Sequence, residues 1–231
     1  MIANLTRLCR LLLEVTRLPV ARLNFDTGLN PDDVIATHRN FTRPHPKYKV
    51  FGHKAVGAAL IDLRRHASAE AYVSSIAGRR FAASYAHKAR TRGYVLARID
   101  RNVYVDQIHA INVSLESRQG RPMDAQYQEK QLSFPTLSNY HYYGVLAADG
   151  RLMAYGNLGL YGNFAAFSRL IGYRNNDGVM HLLVVDIVRA LIEDGSMDYL
   201  MYDTLFGAQP GMRQFKTMLG FQPYRVKYSI R

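Results

Sequence analysis

The stretch from Tyr142 to Ser229 constrains the fold more than any other part of the chain. Tyr142–Ala148 reads as a strand, and Asp149-Gly150 is a hairpin turn signal, because the tightest hairpin turns need positive φ at both central residues. Arg151–Tyr161 returns as the partner strand, and Phe164–Ile171 follows as a third. A polar turn, Arg174-Asn175-Asn176-Asp177-Gly178, opens a long apolar helix from Val179 to Asp194, which Gly195 stops. Tyr199–Asp203 is then a strand, Pro210–Leu219 a helix ended by Gly220, and Phe221–Ser229 a last strand.

The first half reads mostly as helix. Leu5, Leu8, Leu11, Leu12 and Val15 recur at helical spacing up to Pro19, where the residue before proline leaves the α region. Asn30-Pro31-Asp32-Asp33 starts a second helix, with proline in its first turn and carboxylates at its positive end. The two prolines of Thr42–Lys49 mark a loop. Val56–His66 and Ala69–Ala89 are expected as helices, Tyr94–Ile99 as a strand, and Asp106–Asn112 as the start of another helix. Ser117–Pro122 is a basic turn, and Met123–Gln131 holds a short helix. The expected organisation is a basic helical region over 1–92 packed on a core over 93–231.

Composition removes several function classes. The single cysteine, Cys9, excludes an internal disulfide framework and a cysteine-based zinc site. Five of the eight histidines (His38, His45, His53, His66, His87) follow no metal-binding spacing, so no metal is expected. The longest apolar stretch, Val179–Ile192, contains His181, Asp186 and Arg189 and falls short of the roughly 20 residues of a membrane span. A soluble, cytoplasmic protein is the expectation.

Charge is concentrated rather than spread. The formal net charge is +12. Residues 38–121 hold sixteen basic and five acidic side chains, a net of +11, against zero for 1–37 and +1 for 122–231. Such a basic third suits an acidic macromolecule: DNA, a tRNA, or an acidic carrier. Arg43, Lys47, Lys49, Arg79, Arg80, Lys88, Arg90 and Arg92 are the candidate nucleic-acid contacts, interleaved with Phe41, Tyr48, Phe51, Phe81 and Tyr85. A solvated basic surface is the alternative reading of the same residues.

The order hairpin, strand, long helix, strand, short helix, Gly-Phe, strand resembles the second half of the GNAT acyltransferase fold. The tail Phe215-Lys216-Thr217-Met218-Leu219-Gly220-Phe221-Gln222-Pro223 is similar to the ending of these enzymes, and Phe215-Lys216 is closest to the FemAB-like branch, whose members use aminoacyl-tRNA donors. Arg79–Tyr94 is similar to the basic helix and strand upstream. The resemblance covers about residues 79–229. It implies an α/β fold with a mixed, mostly antiparallel central sheet flanked by helices. It also implies an N-acyltransferase drawing on acyl-CoA or on an aminoacyl-tRNA.

The sequence departs from the family at one place. Ordinary members bind the donor pyrophosphate with a Gln/Arg-x-x-Gly-x-Gly/Ala loop before the long helix, where free backbone N–H groups meet an anion. The matching residues here are Arg174, Asn175, Asn176 and Gly178, and Asp177 among them opposes a phosphate. The same residues also fit plain helix capping. For catalysis the resemblance implies Asp203 as base, Tyr202 or Tyr228 as acid, and Lys216 as oxyanion stabiliser or phosphate grip, with Tyr161 nearby. Tyr202 as core and Lys216 as a solvated helix residue are the competing readings.

Three functions follow from these readings. The first is an N-acyltransferase with a nucleic acid or other polyanion as acceptor or donor carrier. The second is an aminoacyl-tRNA-dependent FemAB-like transferase acting on a small amine. The third is a non-catalytic nucleic-acid-binding protein on a GNAT-like fold.

Overall fold

One eight-stranded sheet organises the computed structural model, which describes residues 15–46, 49–77, 82–115, 117–118, 121–122 and 124–231. The strands are β1 (Val20–Phe25), β2 (Val56–Asp62), β3 (Val95–Arg98), β6 (Tyr140–Leu146), β7 (Leu152–Leu160), β8 (Phe164–Gly172), β9 (Tyr199–Thr204) and β10 (Gln222–Ile230). The short pair β4 (Ser117–Arg118) and β5 (Arg121–Pro122) stands apart. Across the sheet the order is β1-β10-β2-β9-β8-β7-β6-β3, antiparallel except at β1/β10 and β8/β9. The helices are α1 (Pro31–Thr42), α2 (Ala69–Ala77), α3 (Ala82–Thr91), α4 (Val105–Val113), α5 (Ala125–Gln128), α6 (Val179–Asp194) and α7 (Pro210–Met218).

Helices cover both faces. On one, α2, α3, α6 and α7 enclose the largest core, to which α6 contributes Leu182, Leu183, Val185, Ile187 and Val188. On the other, Val34 of α1 packs near β1 and β10, and Ile108 and Ile111 of α4 pack on Tyr155 and Ile171. Asn30 caps α1 by accepting a bond from the Asp33 backbone N–H, as its sequence predicts.

Two expectations for the first half are corrected. Residues 56–62 are a central strand rather than a helix, followed by a 3₁₀ turn at Leu63–Arg65. Ala58 and Leu60 enter one core while Ala59 and Ile61 enter the other, so both faces are apolar and no strand alternation survives in the sequence. The stretch 69–89 is not one helix: α2 ends at Ala77 and α3 begins at Ala82, with 78–81 outside the described residues. The N-terminal region is therefore not simply helical. It supplies β1 and β2 to the sheet that residues 93–231 complete, and the expected boundary at 92 runs through that sheet.

Two irregularities shape the centre. The parallel strands β8 and β9 pair only at Phe164↔Tyr199, Ala165↔Leu200 and Ala166↔Met201, then part. Just past that point β8 carries an extra residue, Ser168, relative to β7. On β9 the register against β2 also shifts between Met201 and Thr204, where Asp203 has a φ of 55°. A non-glycine residue with positive φ is uncommon, and such strain concentrates at functional sites.

Candidate active site

A cavity opens on each face where β8 and β9 part. The larger, about 830 Å³, lies against α6 and α7, and the smaller, about 450 Å³, lies on the α1 and α5 side. Both are lined by Leu170, Ile171 and Tyr202, so the two spaces meet at the gap between the strands. Past Ala166 the β9-facing edge of β8 has no strand beside it among the described residues, which leaves backbone groups turned toward the gap.

The larger cavity contains the loop singled out in the sequence. Arg174, Asn175, Asn176 and Gly178 all line it, beside the first turn of α6. Backbone N–H groups in a helix's first turn have no intrahelical partner and attract anions. Asp177 does not line this cavity. Its carboxylate is ion-paired with Arg92 and accepts a 3.0 Å bond from the Tyr94 hydroxyl. The repulsion expected from Asp177 is thus answered by a local cation.

Gly178 is fixed by geometry. Its φ is 84°, and a Cβ there would overlap the Tyr85 carbonyl oxygen of α3. Lys88 of α3 reinforces the contact by donating to the Asn176 carbonyl at 2.7 Å.

His181 forms part of the same wall. Its ring stacks on Tyr85 at 4.7 Å and meets Phe215 edge-on at 5.0 Å, and among the described residues nothing hydrogen-bonds its Nε2. Burial lowers its pKa from 6.5 to about 4. Between those values the unfolded chain takes up a proton that the folded ring refuses, so stability falls as pH drops through that window. His181→Leu is expected to abolish up to about 3 kcal/mol of that loss. Urea melts of both proteins at pH 7, 5 and 4 measure it, and parallel curves would contradict the assignment.

The smaller cavity holds Asp203, Tyr161, Tyr140, Ser168, Arg169 and Lys54. Asp203 is ion-paired with Lys54, whose backbone carbonyl accepts a 3.0 Å bond from the Tyr228 hydroxyl. The Tyr140 and Tyr161 hydroxyls are 2.7 Å apart, and burial raises the pKa of both. Tyr202, between Phe167 and Phe221, likewise has its pKa raised by burial and by Asp203, so it stays a protonated donor.

Lys216 is placed differently. It is 2% exposed, lines neither cavity, and donates to the Thr204 carbonyl at 2.9 Å. Its Nζ lies 4.5 Å from the centre of the Tyr202 ring. Burial lowers its pKa to about 8, while Asp203 opposes the shift and Lys54 adds to it. The reading of Lys216 as a solvated helix residue is thereby corrected.

Most of the candidate nucleic-acid contacts within the described residues serve the fold. Lys88 holds Asn176, Arg90 is ion-paired with Asp186, and Arg92 with Asp177, so the three tie α3 to α6 and its preceding loop. Arg43, which donates to His53 Nδ1 at 3.4 Å, and Lys49 are exposed. Lys47, Arg79 and Arg80 lie outside the described residues. Lys54, Tyr140, Ser168 and Arg169 escaped the sequence reading, because nothing local marks a residue whose partner lies across the sheet, 149 positions away for Lys54, or whose direction a bulge decides.

Among the described residues no helix is long and apolar enough to cross a membrane. No protein-family model matches the sequence, and no curated protein matches it. Solved structures do. The structure of FemX superposes with a TM-score of 0.56 at 9% identity, over 73% of this chain and 59% of that one. The C-terminal domain of a protein described as a lysylphosphatidylglycerol synthetase from Agrobacterium fabrum gives 0.50 at 15% identity, over 74% and 58% respectively. The match thus spans less than two thirds of each of those two solved chains. The central sheet, the helices on its two faces and this likeness together give the chain a GNAT-like fold of the kind found in FemX.

Proposed function

We propose that this protein is an N-acyltransferase that passes an acyl or aminoacyl group from a polyanionic carrier to a small amine. The observation that carries the reading is the pair of cavities on opposite faces of the sheet, joined at Tyr202 where β8 and β9 part. A donor in the larger cavity sets its phosphates near Arg174 and the first turn of α6, and its carbonyl at the gap. An amine in the smaller cavity reaches the same carbonyl from the other side. The free edge of β8 offers hydrogen-bond donors to the developing oxyanion.

The step balances without further reagents. The amine nitrogen forms the new C–N bond as the C–S or C–O bond to the carrier breaks. The amine proton passes to Asp203, the leaving sulfur or oxygen takes a proton from Tyr202, and the proton gained by Asp203 returns to Tyr202, which restores both groups. The smaller volume of the acceptor cavity and Arg174 in the lining of the larger one support placing the polyanion on the donor side, as CoA or as an aminoacyl-tRNA.

Calorimetric titration with CoA, acetyl-CoA and an aminoacyl-tRNA tests this. At least one is expected to bind, more weakly as salt rises. Arg174→Glu is expected to cost about tenfold or more in affinity, since a charge-assisted bond becomes a repulsion. A protein that binds none of the three, or binds them unchanged after Arg174→Glu, overturns the proposal; binding with no transfer to any amine leaves a carrier-binding protein without the chemistry.

A further inference from the structure

The acceptor cavity is dipolar, and the bulge in β8 makes it so. Before the bulge, Phe164 and Ala166 pack into the core near α1, while Ala165 and Phe167 pack into the core under α6. Strict alternation would send Arg169 under α6, into an apolar core. The extra residue Ser168 reverses the phase, so Leu170 packs under α6, Ile171 packs with α4, and Arg169 enters the smaller cavity. Bulges beside active sites re-aim side chains in this way.

Asp124 also lines this cavity, yet among the described residues no ion pair joins Arg169 to it. The Arg169 guanidinium lies 4.5 Å from the centre of the Tyr127 ring. Among the described residues no carboxylate is within salt-bridge distance of it. The cavity's other cation, Lys54, is already paired with Asp203. Lys54 occupies Oδ1 of Asp203, and among the described residues no bond holds the second oxygen. One diverging strand thus offers a carboxylate and the other an unpaired guanidinium, with Tyr140, Tyr161 and Ser168 along the same wall.

We infer that the acceptor is a small amino-carboxylic acid, its amine toward Asp203 and its carboxylate on Arg169. This deepens the acyl-transfer reading of the cavity and rests on it. A planar guanidinium matches a carboxylate in two parallel bonds. A polyamine would bring a second cation against Arg169, and an amine without an anion would leave the guanidinium desolvated and unpaired. The 450 Å³ space is of small-molecule size.

The full chain is titrated calorimetrically with a panel of free α-, β- and γ-amino acids and with the amide of each. At least one free acid is expected to bind, with its amide about tenfold to a hundredfold weaker, the range of a charged hydrogen bond. Arg169→Gln is expected to erase the acid–amide ratio and Arg169→Lys to restore part of it, whereas Asp203→Asn weakens acid and amide together. Equal binding of acid and amide, or an unchanged ratio in Arg169→Gln, overturns the inference. So does a protein that binds CoA or aminoacyl-tRNA but no amino acid, while the transfer reading stands. Should the Arg169 variants fail to fold, the wild-type ratio decides alone. Amino acids binding where every donor fails would instead count against acyl transfer and leave the acid-binding cavity in place.

Discussion

Replacing Gly178 by alanine is expected to destabilise the protein by about 3 kcal/mol, combining the cost of positive φ in a residue with a Cβ and that of a backbone overlap. The φ of 84° alone costs an alanine about 1 kcal/mol. The larger part arises because the new methyl meets the Tyr85 carbonyl oxygen, a backbone atom that moves only if α3 moves. Displacing α3 from α6 stretches the Lys88–Asn176 bond and the Arg92–Asp177 and Arg90–Asp186 ion pairs at once. Gly195 at the other end of α6 is the internal control. Its φ is 70°, but nothing lies within 4 Å of a Cβ there, so Gly195→Ala is expected to cost only about 1 kcal/mol. For a chain of this size the two variants separate by roughly 4–8 °C in Tm. Equal melting temperatures would show that the α3 contact is not made.

Lys216→Met is expected to remove a pH dependence worth about 3 kcal/mol on the alkaline side. With a folded pKa near 8 against 10.5 for the free side chain, the unfolded chain holds more protons between those values. Wild-type stability therefore rises with pH from 8 to 10.5 relative to the variant, as the buried ammonium loses its charge. Below pH 8 both states carry the proton and the desolvation cost is present in full. Methionine keeps most of the stem volume under Tyr202, so the variant folds, though the Thr204 carbonyl loses its donor. Urea unfolding of both proteins at pH 7, 9 and 10 reads the difference. A constant gap across that range would mean that Lys216 is solvated, against its 2% exposure. Loss of transfer activity in this variant would act through Tyr202, since Lys216 borders neither cavity.

The second half of the chain was legible because its signals are local. Gly150 closes the hairpin turn at a φ of 82°, Gly195 stops a helix whether or not anything packs on it, and the alternating and helical periods between them are written in consecutive residues; Asp149 itself does not take the positive φ expected of it. The first half was less so. Val56–Asp62 passes between two cores, and an apolar stretch without alternation reads equally as helix. The basic third was correctly located as a charge excess, yet Lys88, Arg90 and Arg92 are held by Asn176, Asp186 and Asp177, partners more than eighty residues away. Sequence alone counts charges; it does not tell a free cation from a paired one.

The candidate site divides along the same line. The residues near the strand ends, Tyr161, Tyr202 and Asp203, and the loop Arg174–Gly178 were singled out through the family resemblance, which places such positions at the ends of strands and the start of the long helix. Which of them share a cavity, that Tyr202 stands between the two spaces, that Asp177 is neutralised and that Lys216 is buried were decided only by the tertiary structure. Arg169 shows the physical reason. A single bulge residue, Ser168, reverses the direction of every side chain after it, and the register of strands distant in sequence, not the residues themselves, fixes where that bulge falls.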